Sequence, residues 1–193
     1  MRLHINDKKA LKKHTNNLTN LLNKFQNKQL VFLCIGTDRC TGEALGPIVG
    51  SMLLDIGPTF PGVVIGNLEY PVHAENLSRT VEYIQYHHPE ACIIAIDAAL
   101  GREKSIETVD IVPEQLHPGA ALNCSLPAVG DISIIANVNV GGYMEFDVLR
   151  STRLYRIMRM SNFIVNVVTR TVSNHTGKQT DNTAMSVLKT AKG

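Results

Sequence analysis

The sequence predicts a three-layer α/β sandwich around a mostly parallel sheet, and three observations carry that expectation. Two apolar runs without alternation, Leu30 to Ile35 and Ile93 to Ile96, read as strands buried on both faces, the habit of parallel sheets. Between such runs, apolar residues recur at three- and four-residue spacings, the mark of helices with one buried stripe. Strands alternating with helices place helices on both faces of the sheet, joined by right-handed crossovers. With 193 residues, 44% apolar and 19% charged, the chain suits one domain with a full core, assigned to residues 1–173 with a polar tail at 174–193.

Taken in order, Asn6 to Asn27 sets Leu11, Leu18, Leu21, Leu22 and Phe25 on one helical stripe. Leu30 to Ile35 is the first strand. Gly36 to Gly42 breaks the pattern, and a helix over about Ala44 to Leu54 stops before Gly57-Pro58. A second strand spans Gly62 to Leu68 and ends at Glu69 to His73. The next helix, about Glu75 to His87, carries Leu77, Val81 and Ile84 on one side and ends at His88-Pro89, since proline disfavours helix in the residue before it. Ala91 to Ile96 is the third strand. Ser105 to Val112 alternates apolar and polar, as a half-exposed or edge strand does. Pro113 to Gly130 has no regular pattern, and a loop of that length in a compact domain is usually functional or disordered. Asp131 to Val138 is a further buried strand, closed by Asn139 to Gly142. A long helix runs from about Tyr143 toward Val168, and from Ser173 the polar tail reads as frayed or disordered.

Composition excludes several classes of function. No apolar run approaches the ~20 residues that span a bilayer, and the lysine-rich start lacks the apolar stretch of a secretory signal. The expected location is cytoplasmic. A net charge of +2 gives no argument for nucleic acid, and the lysines between 8 and 28 read as a solvated helix face. Cys34 and Cys92 fall inside strand runs as small buried hydrophobes, whereas Cys40 and Cys124 fall in loops. There is no CxxC pair and no zinc pattern. The segment Gly36 to Gly42 lacks both the Gly-Lys-Ser/Thr of a phosphate loop and GxGxxG spacing, and no GxSxG elbow is present. Arg39 reads as a solvated loop arginine, with anion binding as the rival reading.

Two carboxylates stand out. Glu43 sits in or just before the first turn of the second helix, where the helix dipole stabilises negative charge by about 0.3–1 kcal/mol. Asp97 directly follows Ile93 to Ile96, beside low-dielectric surroundings that raise a carboxyl pKa. Groups at the carboxyl ends of parallel strands share one crevice, so Glu43 and Asp97 are expected to face each other there. Such a pair titrates as a unit, with Glu43 as the ionised partner and Asp97 as the protonated one. Asp38, His73 and Asn139 follow other strands and are candidate supporting groups. His117, in the long loop, is a candidate third ligand should Glu43 and Asp97 hold a divalent metal; without it no cofactor is expected.

The stretches CIGTDRCTGEALGPIVG, IIAIDAALG, PGAALNCSLPAVGDISI and NVGGYMEFDVLRSTRL resemble the YyaC-type sporulation proteins of spore-forming bacteria, over roughly Leu30 to Met160. That family is similar to the spore germination protease and, more remotely, to the hydrogenase maturation proteases. The resemblance implies a phosphorylase/hydrolase-like α/β fold. In the germination protease, an aspartate before Ala-Leu-Gly-Pro and another in an Ile-Asp-Ala-Leu run are regarded as the catalytic acids. Glu43 before Ala44 to Pro47, and Asp97 after Ile96, occupy those places. Glutamate at the first place is what the maturation proteases have, where with an aspartate and a histidine it binds nickel. No histidine here matches that third ligand; His117 lies nearby.

The expected function is therefore a sporulation or germination peptidase that hydrolyses peptide bonds with the Glu43–Asp97 pair. Its expected partners are protein or peptide substrates, small spore proteins among them, in the forespore or spore interior; self-association is left open. Two rivals stand beside it: a non-catalytic sporulation binding protein on a protease scaffold, and a metal-dependent maturation-type protease.

Overall fold

In the computed structural model, strands β1 (Arg2–His4), β2 (Leu30–Cys34), β3 (Val63–Ile65), β4 (Cys92–Gly101), β5 (Thr108–Val112) and β6 (Ile132–Val140) form one sheet in the order β1-β5-β6-β4-β2-β3. The described residues are 1–119 and 126–190, with 174–190 in backbone course alone. Strands β3, β2, β4 and β6 run parallel, and β5 lies antiparallel between β6 and β1. The helices are α1 (Ala10–Leu22), α2 (Leu45–Leu54), α3 (Leu77–His87), α4 (Glu145–Ser151) and α5 (Leu154–Thr190). The fold is α/β around a mostly parallel sheet.

Strand alternation sorts the core into two layers. Phe32, Cys34, Ile94, Ile96 and Ile134 meet α1, α2 and α5 on one face. Val31, Leu33, Ile93, Ala95 and Ile135 meet α3, Leu116 and Val129 on the other. Both faces of β2 are thus covered, and all five of its residues are buried, which explains an apolar run without alternation. Helix α2 packs closely on the end of β2 because Gly46 carries no side chain: a Cβ there would collide with the carbonyl of Ile35. Among the described residues, no helix is long and apolar enough to cross a membrane.

Several boundaries differ from the sequence expectation. The strand Arg2–His4 carries no signal in the sequence, and by pairing with β5 it covers what reads as an edge (Arg2↔Asp110, Leu3↔Val109). The polar residues of β5 are therefore buried and satisfied. Asp110 accepts from Arg2 Nε (2.7 Å) and from Asn137 Nδ2 (3.2 Å), which also donates to Thr108 Oγ1 (3.1 Å). The strand expected over Gly62 to Leu68 is only three residues, because Gly66 turns with φ +91° against the carbonyl of Cys34. The third strand runs beyond Ile96 to Gly101, since β6 goes on pairing with it after β2 has ended. The single helix expected from Tyr143 is two, broken where Thr152 takes an extended ψ of 130° and its hydroxyl bonds back to the Val148 carbonyl (2.8 Å). The tail expected to fray from Ser173 continues as α5 to Thr190, since propagation adds one hydrogen bond per residue once the packed half has formed. Residues 120–125 of the expected long loop, with Cys124, and 191–193 of the tail lie outside the described residues.

Helix α1 buries a histidine. His14 is fully enclosed between β5 and α5, its ring edge-on to Phe163 at 5.8 Å, and neither ring nitrogen makes a well-formed hydrogen bond among the described residues. Burial, helped by the nearby amino group of Met1 and opposed by Asp110, lowers its pKa to about 4 from 6.5. As pH falls below 6.5 the unfolded chain takes up this proton while the folded chain refuses it until about 4. Stability is therefore complete above 6.5 and declines by on the order of 3 kcal/mol across that window. His14→Leu is expected to flatten this decline, read as a smaller drop in Tm between pH 7 and pH 5 by calorimetry.

Candidate functional site

Strand β2 ends at Cys34, paired with Ile96, while β4 runs five residues further alongside β6. The chain leaving β2 turns away at Gly36, whose φ of +142° and missing Cβ let it lie against the carbonyl of Glu43. Thr37 donates its amide to that carbonyl (3.2 Å), and Glu43 donates its own to Cys40 (3.0 Å). Glu43 thus closes the short 3-10 turn Thr41–Glu43 that leads into α2. Above the stagger opens a cavity of about 690 Å³, whose wall includes Glu43, Asp97, His73 and His117.

Asp97 is the first residue of β4 past its last pair with β2, within the strand rather than after it. Its carboxylate accepts from the amide of Ala98 (2.8 Å). Burial is the main reason its pKa rises from 3.8 to about 8; the Ala98 hydrogen bond opposes the rise and the Glu43 charge adds to it. Glu43 is also raised, chiefly by burial, with the charge of His73 opposing. The helix dipole does not hold Glu43 in the ordinary carboxylate range, because the turn carrying it is half-buried under the cavity. Two carboxyls on one cavity that both resist ionisation can hold a proton on one and a charge on the other near neutral pH.

His73 reaches the same wall through a fixed backbone. Val72 bridges Ile35 in parallel fashion and accepts the Gly36 amide (2.7 Å), while the His73 amide donates to Asn76 Oδ1 (2.8 Å). The other two supporting candidates lie off the cavity wall. Asp38 is exposed at the tip of the loop after β2, between Thr37 and Arg39, which do face the cavity. Asn139 lies within β6 and ties it to α4, donating to Thr152 Oγ1 (3.1 Å) and accepting from the Val140 amide (2.9 Å). Each stands out in the sequence as the polar residue after a strand, a signal blind to which way the side chain turns.

A metal does not fit the donors described. Among the described residues, no three His, Cys, Asp or Glu side chains gather to hold an ion. His117 stands exposed on the cavity wall without completing a triad with Glu43 and Asp97. Three acidic residues of the wall carry no site signal in the sequence analysis: Glu75, Glu114 and Glu145. Glu145 accepts the Gly142 amide (2.8 Å), and a glutamate shortly after Gly141-Gly142 was a findable helix-start signal. Nothing local distinguishes Glu75 or Glu114 from any surface glutamate.

Residues 2–167 match a family model described as "Protein of unknown function (DUF1256)". Over 158 residues the chain is 42% identical to a protein named "Uncharacterized protein YyaC" from Bacillus subtilis (strain 168), covering 82% of this chain and 77% of that one.

A carboxyl kept neutral in the folded chain opposes folding at neutral pH. Asp97 is charged when unfolded above 3.8 and protonated when folded up to about 8, so stability present at acid pH is lost as pH rises through that window. Asp97→Asn keeps an acceptor for the Ala98 amide and removes the titration. It is expected to raise Tm at pH 7 by several degrees and hardly at all at pH 4, measured by differential scanning calorimetry.

Proposed function

This chain belongs to the DUF1256 family, and from that premise we propose a hydrolase that cleaves peptide bonds with the Glu43–Asp97 carboxyl pair, in the sporulation or germination setting its sequence resemblance implies. The observation that carries the reading is the pair itself: two carboxyls from distant parts of the chain face one cavity, and both are raised by burial. The resemblance of Glu43-Ala44-Leu45-Gly46-Pro47 and Ile96-Asp97-Ala98 to the germination protease supports it, as does the phosphorylase/hydrolase-like arrangement that this likeness implies. Analogy of scaffold is the weaker support.

In this mechanism Glu43, with the charge of His73 favouring its ionised form, takes a proton from water. The water oxygen attacks the peptide carbonyl carbon. Asp97, protonated at neutral pH, donates a hydrogen bond to the carbonyl oxygen as it gains charge. The proton then passes to the leaving amine as the C–N bond breaks, and the carboxyl product leaves with the water oxygen. The mechanism routes no step through a metal.

Glu43→Gln and Asp97→Asn are each expected to lower peptide cleavage by about 10²–10⁴-fold with the fold intact by circular dichroism. Activity in the unsubstituted chain should fall on the alkaline side near pH 8, as Asp97 loses its proton. On the acid side it should fall above the ordinary carboxylate range, as Glu43 gains one. Full cleavage by either variant, read by mass spectrometry of peptide fragments, would overturn the pair. Loss of activity in a strong chelator would favour the metal-dependent rival.

A further inference from the structure

The stagger between β2 and β4 leaves a stretch of strand without a partner. The amide of Cys92 and the carbonyl of Ile96 bond toward the β2 side, to Gln29 and Ile35 (both 2.8 Å). The carbonyls of Ile93 and Gly101 bond toward the β6 side, to Asp131 and Gly141 (both 2.8 Å). Peptide groups in a strand alternate sides, and the irregularity between Ala99 and Leu100 adds its extra residue to β6 (Ala99↔Asn137, Leu100↔Asn139), so Ala98 and Leu100 turn theirs to the place β2 would occupy had it continued. The Ala98 amide is taken by the Asp97 carboxylate. The Ala98 carbonyl and both backbone groups of Leu100 then face the cavity with no strand beside them among the described residues. Residues 97–101 are accordingly part-exposed, whereas Ile94, Ala95 and Ile96 are buried.

An open strand edge recognises one class of ligand, an extended polypeptide that adds as a further strand. The walls of the cavity define its side chains. Glu75, Glu114 and Glu145 face the same space as the carboxyl pair, and none of the three forms an ion pair among the described residues. Acidic side chains outnumber the one arginine, Arg39, on this wall, and an excess of one sign of charge with apolar surface beside it, here Leu116 and Ile135, concentrates ligands of the opposite sign. We infer that the cavity takes an extended polypeptide segment rich in lysine or arginine, added as a strand beside Ala98 and Leu100, with its cationic side chains among Glu75, Glu114 and Glu145. This deepens the carboxyl-pair reading to a substrate class and rests on that reading for the chemistry after binding.

The test uses the full ¹⁵N-labelled chain carrying Asp97→Asn to arrest turnover. It is titrated with an end-capped octapeptide of alternating lysine and valine, its glutamate counterpart, and spermidine. The lysine peptide is expected to slow hydrogen exchange at the Leu100 amide by about tenfold or more, and to bind about tenfold or more tighter than the glutamate peptide. Glu75→Gln with Glu114→Gln should narrow that preference. N-methylation of alternate peptide amides should weaken binding in one register and spare the other. No binding of the lysine peptide, binding that leaves Leu100 exchange unmoved, or equal protection by spermidine would overturn the inference. Cleavage by the unsubstituted chain without Leu100 protection would remove strand addition and leave the carboxyl pair standing. Protection without cleavage would uphold strand addition and remove the hydrolytic reading.

Discussion

The structure depends on one mismatch in length: β2 stops at Cys34 while β4, between it and β6, continues to Gly101. In a parallel sheet every strand must be reached by a crossover, and the turn from strand to helix takes up space at the carboxyl end. Here that turn is compressed, because Gly46 lets α2 sit on the carbonyl of Ile35, just past β2, and Gly36 lets the loop lie against the carbonyl of Glu43. The compression brings Glu43 back over the end of its own strand. The longer β4 meanwhile carries Asp97 past the last pair and into the same space. Without the stagger Asp97 would be a buried residue of an interior strand, and Glu43 an ordinary acid at a helix start.

That geometry strains the two carboxyls. Asp97 is flanked on its strand by Ile96 and Ala98, and the compensating hydrogen bond from the Ala98 amide is outweighed by burial. A protein gains nothing in stability from a carboxyl that must stay protonated near pH 7, and a neutral amide of the same shape would fold more readily. Residues that oppose folding persist where selection acts on something else, which is why perturbed carboxyls in clefts mark functional sites more often than chance. His73 moderates the effect on Glu43 alone, so the two acids are pushed unequally. A proton shared between unequal acids has a definite home, as acid and base roles require.

Much of this is legible in the sequence, for a physical reason. Leu30 to Ile35, Ile93 to Ile96 and Asp131 to Val138 are flanked by strands and covered on both faces, so burial wrote itself into composition. What escapes depends on partners distant in sequence. Three residues at Arg2–His4 carry no periodicity, yet by pairing with β5 they turn an apparent edge into an interior strand and Asp110 into a buried acid. The break at Thr152 comes from a hydroxyl competing with the helix, which apolar spacing cannot register. Asp38 and Asn139 answer to the same rule that finds Asp97, polarity at a strand end. The rule succeeds only where the neighbouring strand stops short, and strand length is the quantity that local pattern fixes least well.

Two buried groups displaced toward neutrality, His14 and Asp97, show how a structural anomaly is told from a functional one. Both are driven by loss of water, and both would be easier to charge in the unfolded chain. His14 is enclosed on all sides, neither of its ring nitrogens makes a well-formed hydrogen bond among the described residues, and it lies off the wall of the cavity. Its ring serves as an apolar plate against Phe163, and a proton arriving there would meet no substrate. Asp97 keeps one face to the cavity, is held by the amide beside it, and feels a second acid across the same space. Desolvation alone therefore assigns no role. It gains meaning when the displaced group also has access, an orienting hydrogen bond and a partner that titrates with it, and of these two residues Asp97 alone has all three.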